Sequence, residues 1–358
     1  MEVWYSQATG QEPTSVNSEK KGVKNDAEKL YSEFWQWRLQ ESPEFASMIG
    51  KHMYDDKLDS YSLEAFRKRK STAEQFLQKS QELVLENGTS DLNMEMFISG
   101  LQTYVDGMEL LGYFYPINRL EGVQLDFEVL VDSYMRFESV DDFAKLISRY
   151  RAFPKQAGEI IELMREGIRQ GRTNHAVSMK HVLEQFDLLQ KPAEISPFFK
   201  PFLSIPATVM PVERKNLKSE AKDVIEKELL PAFQELRNFI EKEYMAATRP
   251  NIAVSSLPNG EKFYQKCLQF HTSTHMTPEE IHNIGLQEVE RISAEINEVI
   301  KSFGSDLSKQ DFFEKLRTDP QFYFETKEEL LNAIKDIIEN QIKPKISDIF
   351  KNIPQVKL

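Results

Sequence analysis

His271 and His275 stand four residues apart in His271-Thr272-Ser273-Thr274-His275, a spacing at which two imidazoles on one helix face can share a zinc ion. Zinc-assisted hydrolysis also needs a carboxylate to take the proton from metal-bound water, and the residue after the first histidine is Thr272, not Glu. No His-Glu dipeptide occurs anywhere in the 358 residues. Thr277, just beyond, reads as a helix cap, so the two histidines are expected to straddle a helix end, where i,i+4 neighbours need not share a face. The reading is therefore no metal ligand and no catalytic residue in this chain. Further along, positions 281, 285, 288, 292, 296, 299 and 303 form one helical stripe, Ile281, Gly285, Glu288, Ile292, Ile296, Val299 and Phe303. Glu288 on a buried stripe would need a partner, with Arg291 the nearest candidate. A structural ion pair is the plain reading, and a substrate-orienting or supporting role the sharper one. His282 lies beside the stripe near Leu286 and Val289 and is kept as a cleft candidate. His52, His175 and His181 form no ligand set with a nearby carboxylate. Phosphate-cradling glycine loops, nucleophile motifs and paired cysteines do not occur.

The elements that must hold these residues are helices. Pro258-Asn259-Gly260 is turn chemistry. Glu261 to Phe270 then carries Phe263, Cys267 and Phe270 at helical spacing. Thr277-Pro278-Glu279-Glu280 predicts the next helix start, with Thr277 as cap, Pro278 at the position that needs no N–H, and Glu280 closing a capping box. Mid-helix Gly285 costs about 1 kcal/mol relative to Ala, which makes sense if another helix must approach closely there. Upstream, helical patterns run from Asp26 to before Pro43, from Tyr61 to Leu85, from Asp91 to near Gly112, from Val123 to Met135 and from Val140 to Phe153. Pro154 is expected to break the last of these, with a further helix running to Gly171 and another spanning Asn174 to Leu189. Lys191 to Glu213 carries Pro192, Pro197, Pro201, Pro206 and Pro211 among Phe198, Phe199 and Phe202. Such prolines exclude a continuous helix, so the segment is read as an aromatic-pinned extended linker, with a lid as the alternative. Asn216 to Tyr244 reads as a long helix despite Pro231, and Thr326 to Gln341 as another, ended or kinked by Pro344. The fold class is all-α. Residues 1–26 are read as a disordered polar leader and 27–358 as one helical domain.

Composition excludes several functions. The 57 acidic against 45 basic side chains give a formal charge of −12, which repels phosphate backbones and anionic headgroups, so neither nucleic acid nor membrane is an expected partner. One cysteine, Cys267, excludes an internal disulfide and a cysteine metal cluster. With no basic n-region and apolar core at Met1 to Ser6 and no run of membrane-helix length, the expected location is the cytoplasm, or outside the cell if the true N-terminus lies elsewhere. Asn87-Gly88-Thr89 matches a glycosylation triplet.

The stretch from Leu257 to Ile292, LPNGEKFYQKCLQFHTSTHMTPEEIHNIGLQEVERI, resembles the signature of the bacterial domain-of-unknown-function family 885, whose members look like all-helical zinc peptidases. Phe34-Trp35-Gln36-Trp37 through Ser42-Pro43-Glu44 to Gly50, Tyr115-Pro116-Ile117-Asn118 with Gly122, Met164-Arg165-Glu166-Gly167 to Gly171, and Asp319-Pro320 follow in the family's order. The resemblance implies the N-terminal portion of a helical zinc-peptidase-like fold that continues beyond Leu358 to a HExxPGHH-type helix carrying the metal ligands and general base. It also implies that His271 and Thr272 face a substrate cleft or brace that helix. Two readings follow. The chain is the non-catalytic N-terminal part of a metallopeptidase-like protein, walling a peptide cleft, with no cofactor of its own and zinc supplied by the remaining part. Alternatively, it is a catalytically inactive helical binding or scaffold module. Partners would be a C-terminal companion segment, a second copy or a peptide. An uncovered apolar patch of several hundred Å² along the Gly285–Glu288 stripe favours a missing partner or a homo-oligomer, and a closed polar surface favours the self-sufficient module.

Overall fold

A computed structural model of the protein describes residues 23–87 and 90–353. The leader up to residue 22 and the Gly88-Thr89 part of the triplet lie outside the described residues. The chain divides into two compact units between His275 and Met276. Among the described residues there is no strand, only an isolated bridge between His175 and Arg249. The all-α class holds.

The first unit contains α1 (Val23–Glu41), α2 (Pro43–Met48), α3 (Leu63–Asn87), α4 (Leu92–Glu109), α5 (Val123–Val129), α6 (Val140–Arg169), α7 (Val182–Leu189), α8 (Lys200–Leu203), α9 (Pro211–Val224), α10 (Leu230–Phe239) and α11 (Gly260–Thr272). Helix α1 begins three residues before the expected cap at Asp26. Asp91 caps α4 as its position suggested, accepting from the Met94 N–H at 2.8 Å. Ser139 and Asp142 form a reciprocal capping box at the start of α6.

Helix α6 is the spine of this unit. Phe143, Leu146, Tyr150, Phe153, Ile160 and Met164 are buried along one face. They meet Phe233 and Leu236 of α10 within one large core. Pro154 does not break the helix as expected: α6 runs unbroken for 30 residues. Proline removes one backbone donor, and the apolar face buried on both sides of it outweighs that local cost. The proline-rich segment also differs from the extended linker expected. It folds into short turns at Ala193–Ile195 and Pro197–Phe199 followed by α8. Phe198 and Phe202 are buried, and Phe198 stacks on Phe233 with ring centres 5.4 Å apart. Packing fixes the segment into the core, which removes the lid reading.

Pro231 is absorbed within a long helical run, as the sequence predicted, by a widened π-type turn at Ile225–Leu229 between α9 and α10. Such a turn relaxes the ladder where proline offers no donor.

The second unit comprises α12 (Pro278–Ser302), α13 (Lys309–Thr318), α14 (Lys327–Asp336) and α15 (Lys343–Ile349). Capping boxes start α12 at Thr277–Glu280 and α14 at Thr326–Glu329. A π-type turn at Ile337–Ile342 precedes Pro344 and joins α14 to α15, the same device as at Pro231. Among the described residues of this unit, Ile300 alone is buried.

Candidate functional site

Helix α11 is seated by interactions from three directions within the first unit. Arg172, buried, donates to the Leu110 carbonyl at 3.3 Å and the Pro258 carbonyl at 2.9 Å. Arg249 donates to the Thr173 and Ala253 carbonyls. Together they tie the loop leading into α11 to the 172–174 turn. Lys266 on α11 pairs with Asp106 on α4 at 2.7 Å. Asn259 turns the chain in the left-handed region at φ 56°. At Gly260 a methyl group would lie 2.3 Å from the Val254 carbonyl oxygen, so only glycine allows the loop to close under the helix start. Below this clamp, Tyr244 is buried with its hydroxyl accepting from the Asn174 N–H at 2.9 Å. Burial pushes its ionisation up to about 12.

The other end of α11 carries the first two candidates. Ser273 at φ 55° ends the helix in a left-handed cap. His271 and His275 therefore lie on either side of a helix stop, as the Thr277 cap suggested. His271 is exposed, with its ring edge-on to Phe270 at 5.2 Å. The Thr272 hydroxyl donates to the Leu268 carbonyl at 2.8 Å and shares a 2.9 Å hydrogen bond with Thr274. It thus closes the last turn, and its oxygen lies at the surface beside His271. Cys267 is half-buried, and burial raises its thiol ionisation above the ordinary value. It packs as a small hydrophobe.

In the second unit, His282 and Glu288 are both exposed on α12. Six residues apart, they project about 120° from each other around the axis. Glu288 pairs with Arg291 at 2.6 Å, and Arg291 also reaches Glu295 at 2.7 Å. The arginine holds the Glu288 carboxyl below its usual range. The ion pair anticipated from sequence is present, but its setting differs. The stripe is not buried: Ile292 is 44% exposed, Val299 54% and Phe303 73%. Whether a helical stripe is covered depends on what packs against it, and neither periodicity nor composition carries that information. Glu288 therefore sits in solvent, where such a pair contributes little.

The described residues do not compose a zinc site. Among the described residues, no three His, Cys, Asp or Glu side chains converge, and His271 and His275 are split by the Ser273 turn. Two features escaped the sequence. One is the Arg172–Arg249 clamp, since the spacing of an arginine does not announce burial. The other is a groove of about 490 Å³ in the first unit, lined in part by Phe66, Arg67, Lys70, Tyr113 and Lys262. Phe66 and Tyr113 stack there at 4.4 Å. The groove gathers residues from α3, α4 and α11 that lie far apart in sequence, so no local motif points to it.

These features describe an all-α protein in which a clamped helix presents a polar, histidine-bearing end. The chain belongs to the DUF885 family of bacterial proteins of unknown function, whose family model matches residues 43–358. Among solved structures it is similar to a candidate lipoprotein from Colwellia psychrerythraea, at 19% identity and a TM-score of 0.81. That match covers 94% of this chain and 62% of the other, so this chain spans under two thirds of its relative's length. The likeness shows the fold. No curated protein matches the chain. Among the described residues, no helix is long and apolar enough to cross a membrane.

Proposed function

We propose that this chain is the non-catalytic N-terminal portion of a metallopeptidase-like protein, forming one wall of a peptide cleft. The observation that carries this reading is the second unit, where Ile300 alone is buried among the described residues while Ile292, Val299, Phe303, Phe322 and Ile334 stand open. A unit of that kind is built to be completed by further polypeptide. The longer chain of the Colwellia relative supports the same view, and its description as a candidate lipoprotein favours an exported over a cytoplasmic location. In the first unit, the exposed end of α11, with His271 beside the Thr272 turn, is the part of the wall suited to face a peptide. Zinc and the general base would come from the additional portion, so no step of hydrolysis is assigned to residues of this chain.

The test is to assay this chain and the product of the full reading frame on a mixed peptide substrate with zinc. Chelator-sensitive cleavage by the longer product and none by this chain is expected. Cleavage by this chain alone, or a stop codon directly after Leu358 with no companion chain, overturns the proposal. A second reading, a catalytically inactive binding module, is favoured by the groove beside α11. Arg67 and Lys262 stand there around a stacked aromatic pair, with Lys70 paired to Glu109 of the same lining at 3.4 Å; the excess positive charge suits an anionic peptide, whose saturable binding to this chain alone would support the reading.

A further inference from the structure

The uncovered face of α12 is specific in a way that a generally apolar surface is not. Ile281, Gly285, Val289, Ile292, Ile296, Val299 and Phe303 fall on one side at 3.6 residues per turn. Gly285 lies on that face about one turn from its N-terminal end, and a methyl group built on it meets nothing within 4 Å. Glycine in the interior of a 25-residue helix is unfavourable for the helix itself. With open space before it, no contact within the described chain accounts for it. A shallow notch in an apolar ridge is what the close crossing of a second helix requires. Glu288 and Glu295 border one edge and share Arg291 as their ion-pair partner, while His282, Leu286 and Ser293 border the other. Over its whole length α12 carries six glutamates against Arg291 and Lys301.

We propose that this face of α12 docks an amphipathic helix whose apolar ridge crosses at Gly285 and whose flank beside Glu288 and Glu295 is basic. The occupant is supplied by polypeptide beyond the part described here. It rests on the reading above only in supposing that further chain completes the fold. More than a third of the Colwellia relative's chain lies outside the match, which is ample length for such a helix. Apolar contact provides the attraction, and the net negative charge of α12, with Glu288 and Glu295 beside the face, disfavours acidic helices.

The experiment titrates the 358-residue chain with two synthetic helical peptides matched to α12 in length. They share one leucine face, and one has lysine flanks while the other has glutamate flanks. Saturable binding of the lysine peptide and far weaker binding of the glutamate peptide are expected. Gly285→Phe should weaken the lysine peptide by on the order of ten-fold or more without changing charge. Its ring points into open space in the free chain, so the helical circular dichroism should be retained. Val289→Lys, a second variant on the same face, should also abolish docking. Equal binding by wild type and Gly285→Phe would reduce the effect to charge attraction and overturn the proposal. So would a sedimenting dimer that protects α12 amides, or protection of those amides in the monomer without peptide. The readout is independent of zinc and hydrolysis. An inactive longer product would therefore sink the peptidase reading and leave helix docking standing, and failed docking would do the reverse.

Discussion

Arg149 is the side chain most committed to the fold. It is fully buried on α6 and donates to the Lys57 and Tyr54 carbonyls at 2.8 and 3.1 Å and to the Ser47 hydroxyl at 2.9 Å, with Asp55 3.9 Å away. Burial pulls its ionisation down, opposed by Glu44, Asp55 and Asp59. Arg149→Met would leave the Lys57 carbonyl without its side-chain donor and remove the buried positive charge beside Asp55, which keeps only its hydrogen bonds with Ser47 and His52. A loss of about 3–5 kcal/mol is expected, measured by urea unfolding. The two mid-chain glycines predict opposite outcomes for one substitution. Gly260→Ala forces a methyl group into the Val254 carbonyl and should destabilise by about 1–3 kcal/mol. Gly285→Ala meets open space in a helix and should stabilise by up to about 1 kcal/mol. Thermal unfolding of the pair checks both signs.

At the scale of elements, Asp142 links a cap to pH dependence. Burial alone would raise its carboxyl. Donation from the Glu138 and Ser139 N–H groups and the Ser139 hydroxyl, with Arg136 nearby, holds it below its ordinary value instead. The folded value is depressed, so the stabilisation is present above the unfolded value of about 4 and is lost as pH falls through the folded one. Wild type should exceed Asp142→Asn in stability at pH 7, and the gap should close on acidification below about pH 4. A gap that stays constant down to pH 2 would show that the carboxylate charge is not what α6 uses. Capping was readable because it is local: Asp91, Thr277 and Thr326 act on groups three residues away. The fate of Pro154 was not, because the apolar face that carries α6 through it is completed by residues from α10 and the proline-rich segment.

Over the whole molecule, stability should be uneven. Amide exchange is expected to be slowest in α6 and α10, whose faces are buried, and much faster throughout 276–353, where Ile300 alone is buried among the described residues. Uniform protection across both units in this chain would contradict the proposal that further polypeptide completes the second. Much of this protein was determined by sequence alone: the all-α class, helix starts at Thr277 and Thr326, the helix stop between His271 and His275, and the family to which residues 43–358 belong. These depend on neighbours within a turn or two, or on an ordered series of short motifs. Only the tertiary structure decided that Arg149 and Arg172 are buried, that the proline-rich segment packs in the core, and that the α12 stripe carrying Gly285 and Glu288 is uncovered. Burial depends on which distant surface arrives, and the periodicity of a single helix is the same with that surface present or absent.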